Sequence, residues 1–123
     1  MSDYFSTTCY CDYDPPSIYS QRIIKRARKQ SECCECGVKI NINDSYEYTF
    51  GVWEGYANSF KTCLRCVELR EWAKISVPCF CWYHGDMLSD VWEMVNEVRH
   101  DVPGFFFEYG RRAIKIKRAG GHI

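Results

Sequence analysis

The sequence contains no stretch of about 18 consecutive apolar residues, so no segment reads as a membrane-spanning helix. It also lacks a secretory opening. "MSDYFSTTCYCDYDPP" carries Asp3, Asp12 and Asp14 where a leader needs basic residues and then an apolar run, and the expectation is a cytoplasmic protein. Charge of either sign is not in excess: 16 Lys and Arg balance 16 Asp and Glu, so the global balance gives no argument for nucleic acid. Internal repeats and low-complexity segments are absent, which excludes repeat and solenoid folds. Histidine is scarce, with His84, His100 and His122 only, and none lies between Cys36 and Cys66. That absence removes the general base and metal ligands that a nuclease built on a zinc-bound hairpin requires. Nothing positions Cys34 in a Cys–His nucleophile pair either, and no enzymatic activity is expected.

Cysteine, by contrast, is dense: nine in 123 residues. In a reducing compartment such density points to metal ligands rather than disulfides, and an odd total cannot close entirely into internal bridges. Cys33-x2-Cys36 followed by Gly37 has the form of a zinc knuckle, and Cys63-x2-Cys66 repeats the spacing at the start of a predicted helix. A knuckle, a hairpin and then a helix carrying the last two ligands is the order of a treble clef. Four sulfurs leave no open coordination position, so this first zinc site is structural. Cys34 reads as a small apolar filler. A second, less regular group offers Cys9, Cys11, Cys79 and Cys81 for a second zinc, with His84 as a substitute ligand. Each four-thiolate zinc adds a charge of about −2 that the formal balance omits.

The predicted fold class is α+β in a single zinc-stabilised domain over 1–123, with a treble-clef-like core at 33–75 and a helical part at 86–118. Tyr46, Tyr48, Phe50 and Val52 alternate with Glu47, Thr49 and Gly51, the period of a half-buried strand. Gly55 and Asn58 supply the turn, and "SFKT" returns as the partner strand. Val67, Trp72 and Ile75 give residues 64–75 a helical stripe that stops at Pro78. Met87, Val91, Met94, Val95 and Val98 make the clearest helix over 86–100, with Asp90 and Glu93 resembling a capping box. Pro103–Gly104 ends it. "FFFEYGRRAIKIKR" reads as a last helix, although "AIKIK" alternates as a strand would. "RIIKRARK", 22–29, reads as a short helix or a strapped basic arm.

Taken together, "CYCDYDPPSIYSQ", "ARKQSECCECGVKI", "YEYTFGVWEGYANSFKTCLRC" and "VPCFCWYHGDMLSD" resemble a group of small proteins encoded by tailed bacteriophages and prophages, over roughly residues 8–90. The resemblance implies that both cysteine groups belong to the family pattern, and it implies a phage origin and a host bacterial cytoplasm. No activity comes with it. "NIND", 41–44, departs from the pattern where a Pro-Gly turn is expected.

Two binding functions fit these features. A small phage protein without catalytic groups can act by holding a host protein, for example by inhibiting a defence complex as anti-CRISPR proteins do. Trp53 and Tyr56 at the hairpin tip are then the candidate anchors. The alternative is nucleic-acid binding through two acid-free basic segments: Arg22, Lys25, Arg26 and Arg28 in the first, and Arg111, Arg112 and Lys115 in the second.

Overall fold

The computed structural model describes residues 16–77 and 80–123. Among these residues five strands and three helices follow in order: β1 (Ile18–Ile24), β2 (Ser31–Glu32), β3 (Lys39–Ile40), β4 (Tyr46–Trp53), β5 (Tyr56–Cys63), α1 (Leu64–Ser76), α2 (Met87–Val98) and α3 (Phe105–Arg118). The architecture is α+β. β1, β4 and β5 form an antiparallel sheet in that order, and β2 pairs with β3 in a separate short ladder. Among the described residues no helix is long and apolar enough to cross a membrane.

The β4–β5 hairpin turns in two residues, with Trp53 paired to Tyr56 and positive φ at both Glu54 (51°) and Gly55 (84°). That is the handedness a two-residue turn needs to match strand twist. Asn58, expected in the turn, instead pairs with Gly51 inside β5.

The expected basic helix or arm at 22–29 is divided: residues 22–24 finish β1, and only residues 25–29 form an arm. Ala27 straps the arm down, donating its N–H to the Asp44 carbonyl (2.9 Å) and accepting from Asn43 N–H (2.9 Å). "NIND" itself closes a tight turn, Asp44 N–H to the Asn41 carbonyl at 3.0 Å, with Asn43 at φ 76°. Ile42 and Asn43 stand where a Pro-Gly turn would put Pro and Gly. Asn tolerates the left-handed region better than most residues, so the turn survives the departure.

The hydrophobic alternation of β4 faces the opposite way from the expected one. Glu47 (4% exposed) and Thr49 (0%) are buried, whereas Tyr46, Tyr48, Phe50 and Val52 are only half-buried. The reason lies on α1. Its buried face is Cys66, Leu69, Arg70 and Ala73 rather than the Val67–Trp72–Ile75 stripe, and Ile75 is exposed. Arg70 donates two hydrogen bonds of 2.7 Å to the Glu47 carboxylate, and its guanidinium lies 5.2 Å from the Trp82 ring. A forked pair satisfies both charges, and the polar side of β4 turns inward to form it.

The apolar core is correspondingly built from helices and cysteines: Leu69, Ala73, Met87, Val91, Val95, Phe105 and Ile116 surround Cys33, Cys36, Cys63 and Cys66. α2 starts at Met87 and carries the predicted stripe, with Met87, Val91 and Val95 buried. The expected capping box does not form. Asp90 lies within the first turn and accepts the Tyr83 N–H at 3.0 Å. The start of α2 is capped from the knuckle instead, by Glu35 accepting from Gly85 N–H (2.8 Å) and Met87 N–H (3.1 Å). Residues 105–118 are helical, so the alternation of "AIKIK" does not make a strand. α3 ends in a paired turn, Gly121 N–H to the Ile116 carbonyl and Gly120 N–H to that of Lys117 (3.0 Å each), with Gly120 at φ 97°. This left-handed exit is one glycine adopts without strain.

Candidate metal centre and basic sheet face

Cys33 and Cys36 stand on either side of the β2–β3 turn, where Gly37 N–H bonds the Cys33 carbonyl at 3.0 Å and Gly37 adopts φ 78°. Cys63 ends β5 and is the N-cap of α1, placing Cys66 in the first helical turn. The knuckle is fastened to β5 by Cys34 N–H to the Lys61 carbonyl, 2.8 Å. These connections bring all four sulfurs within 4.8 Å of one another, all buried. Cys33 Sγ–Cys66 Sγ and Cys36 Sγ–Cys63 Sγ are both 3.8 Å. A disulfide would need about 2.05 Å. Sulfurs on a tetrahedron about 2.3 Å from a central ion stand about 3.8 Å apart, so the cluster can hold a metal ion.

Backbone dipoles favour charge at the same place. Glu35 N–H (3.4 Å) and Cys63 N–H (3.3 Å) both donate to Cys33 Sγ. Hydrogen-bond sharing with Cys36, Cys63 and Cys66 holds the Cys33 thiol far below its ordinary pKa, while the same sharing pushes Cys66 up. A cation that replaces the shared protons would relieve this imbalance. Cys34 stands outside the cluster, with its sulfur 3.5 Å from Thr62 Oγ1, and burial pushes its pKa up to about 12.

Most of the second expected group falls outside the described residues. Cys9, Cys11 and Cys79 lie outside them, and Cys81 is exposed and disulfide-bonded. His84 instead closes an aromatic box on the inner face of the sheet. It stacks on Phe60 (4.7 Å), meets the edge of Trp82 (4.6 Å), and its Nε2 lies 3.0 Å from Tyr19 Oη. Burial and the Arg70 guanidinium push its pKa down to about 4. His100 lies in the turn after α2, and the His122 N–H bonds the Cys36 carbonyl at 2.8 Å.

Of the hairpin-tip pair, Trp53 folds back over the sheet, its ring occupying the space a Cβ at Gly51 would need (2.4 Å) and meeting Tyr19 and Phe60 edge-on at 5.9 Å each. Tyr56 is the exposed member, at 75%.

The two basic segments part company. Arg111 and Arg112 both bond Glu108, Lys115 reaches Glu68 at 3.2 Å, and Arg112 packs 5.2 Å from the Trp72 ring. That segment is largely matched within the chain. In the first segment no described acid pairs with Arg22, Lys25, Arg26, Arg28 or Lys29. These five, with Ile24, Tyr46 and Lys61, line a hollow of about 640 Å³ on the outer face. The Arg22 guanidinium lies 5.9 Å from the Tyr48 ring and Lys61 Nζ the same distance from Tyr46. Lys61 is the member that sequence reasoning misses. Its signal is its place two residues before Cys63 on the strand paired to Tyr48.

No known family, curated protein or solved structure matches this chain.

Proposed function

We propose that the chain is a non-enzymatic, zinc-stapled binding module of treble-clef type that works in the cytoplasm and engages single-stranded nucleic acid on the outer face of its sheet. Zinc is the ion that suits four buried thiolates in a closed tetrahedron, and its binding energy would contribute directly to folding. The observation that carries the functional reading is the acid-free cluster of six cations around Tyr46 and Tyr48. Cations track phosphates, and aromatic rings at the sheet surface offer platforms on which unpaired bases stack. The strapping of Ala27 holds the arm beside the rings and reduces the ordering cost of binding. A host protein gripped at the hairpin tip has less behind it, because Trp53 is committed to Gly51, Tyr19 and Phe60.

The test is a salt titration with 12-nucleotide single strands and the matching duplex. For single strands log K falls by about 0.7 per phosphate neutralised for each tenfold rise in salt, so six engaged cations set a ceiling near −4. Changing Arg22, Lys25 and Lys61 to Gln together should flatten the slope by about 2, while Arg111→Gln with Arg112→Gln should leave it nearly unchanged. No binding at about 50 mM salt, or a slope indifferent to the first triple change, defeats the proposal.

A further inference from the structure

A separate hollow of about 710 Å³ lies where α2, α3, the knuckle and the C-terminal tail meet. Its walls differ from those of the basic face. Trp92 (40% exposed) and Tyr109 contribute two rings 5.6 Å apart, and Leu88 adds an apolar side chain. Glu93 and Glu35 contribute carboxylates and His122 an imidazole, and no described Lys or Arg lines it. Glu35 is engaged by the Gly85 and Met87 N–H groups, whereas Glu93 has no hydrogen bond or ion pair among the described residues and is exposed.

The same aromatic run already holds a cation at its other end. Phe106 lies 6.0 Å from Trp92, and the Arg99 guanidinium sits 3.9 Å from the Phe106 ring centroid. The run therefore attracts a planar cation within this chain, and the hollow repeats the combination beside a free carboxylate. Ring faces attract cations, most strongly indole, and a guanidinium can stack on a ring while donating to a carboxylate.

We infer that this hollow receives an arginine side chain from a segment of a partner protein, the guanidinium lying against Trp92 and Tyr109 and donating to Glu93. Charge complementarity selects the occupant. α2 carries Asp90, Glu93 and Glu97 and no basic residue, so a basic segment is drawn to it and a polyanion is repelled. This surface is independent of the nucleic-acid reading, which uses the outer face of the sheet.

The probe is a blocked heptapeptide with one central arginine among serines and leucines, compared with its citrulline twin, which keeps the shape and loses the charge. Titration of zinc-loaded protein is followed by the NMR signal of the Trp92 indole N–H and, in the variants that lack it, by the ring signals of Tyr109 in the same hollow. The arginine peptide should shift that signal and bind at least about tenfold tighter than the citrulline twin. Glu93→Gln should weaken binding about fivefold or more with an unchanged melting temperature. Trp92→Ala should abolish it. Because that change also removes the Phe106 and Tyr109 contacts, Trp92→Phe serves as the fold-preserving partner and should retain part of the affinity. Changes at Arg22 and Lys25 should have no effect. Equal affinity for the two peptides, no Trp92 shift up to about 2 mM peptide, or indifference to Glu93→Gln would each overturn the inference.

Discussion

Replacing Arg70 with Met should be among the most damaging single changes outside the cysteines. The guanidinium side chain is 3% exposed and the Glu47 side chain 6%. Removing Arg70 leaves the carboxylate buried in the sheet with Thr49 Oγ1, at 3.4 Å, as its one remaining side-chain hydrogen bond among the described residues. Breaking one side of a buried pair costs about 3–5 kcal/mol, mostly as the penalty of the stranded charge. Glu47→Leu should cost somewhat less, because Arg70 keeps Glu71 at 3.0 Å, whose side chain is 45% exposed and can follow it into water. The double variant removes both charges at once and should cost less than Arg70→Met alone, so the coupling between the two sites should exceed the whole cost of Glu47→Leu. The measurement is urea unfolding followed by tryptophan fluorescence, at one fixed free zinc concentration because ligand binding shifts apparent stability. The Trp82 ring, 5.2 Å from the guanidinium, reports locally. Single costs below about 1 kcal/mol, or a double variant as damaged as the two singles added, would refute the view that this pair turns β4 inward.

The metal centre gives a second expectation. Cys36→Ser or Cys66→Ser should release zinc and leave the chain largely unfolded by circular dichroism, whereas Cys34→Ser should keep both metal and fold, since Cys34 lies outside the four-sulfur cluster. Elemental analysis of folded protein without a tightly held metal would contradict it. The third concerns His84, whose folded pKa near 4 lies below the ordinary 6.5. The unfolded chain then binds the extra proton first, so this ring's contribution to stability is present above about pH 6.5 and is lost as pH falls toward 4. Its Cε1–H resonance should stay flat from about pH 8 to 5.5, and a midpoint near 6.5 would show that the ring is not enclosed.

The parts of this structure legible in the sequence are those fixed by neighbours along the chain. C-x2-C spacing, the glycine turn signal at Gly55 and the 3.6-residue stripe of α2 are local signals, and each corresponds to an observed element, whereas Asn58, read with Gly55 as part of the turn, lies in β5. Which side of β4 is buried is not local. Glu47 turns inward because Arg70, 23 residues later, arrives from α1, and hydrophobicity alone selects the aromatic side. The same bias favours Ile75 over Arg70 for the helix stripe. A lone acid among strand aromatics and an arginine four residues after a ligand cysteine are the available clue. β1 escapes a sequence reading for a different reason: six of its seven residues are exposed, so burial writes no period into them. Glu35 escapes it because its capping partners are 50 and 52 residues away.

The position of β1 at the rim of the sheet bears on how the protein behaves at high concentration. Among the described residues no strand pairs with the outer edge of β1, and Ile18 and Ile23 are both more than half exposed. Such a strand invites a second copy to add alongside it unless charge keeps copies apart. Arg22 within the strand, with Lys25 and Arg26 just beyond it, supplies that repulsion. The cations proposed to contact phosphate would then also guard against self-association. A polyanion that neutralises them would remove the guard at the moment it binds, so coated strands would gather protein side by side.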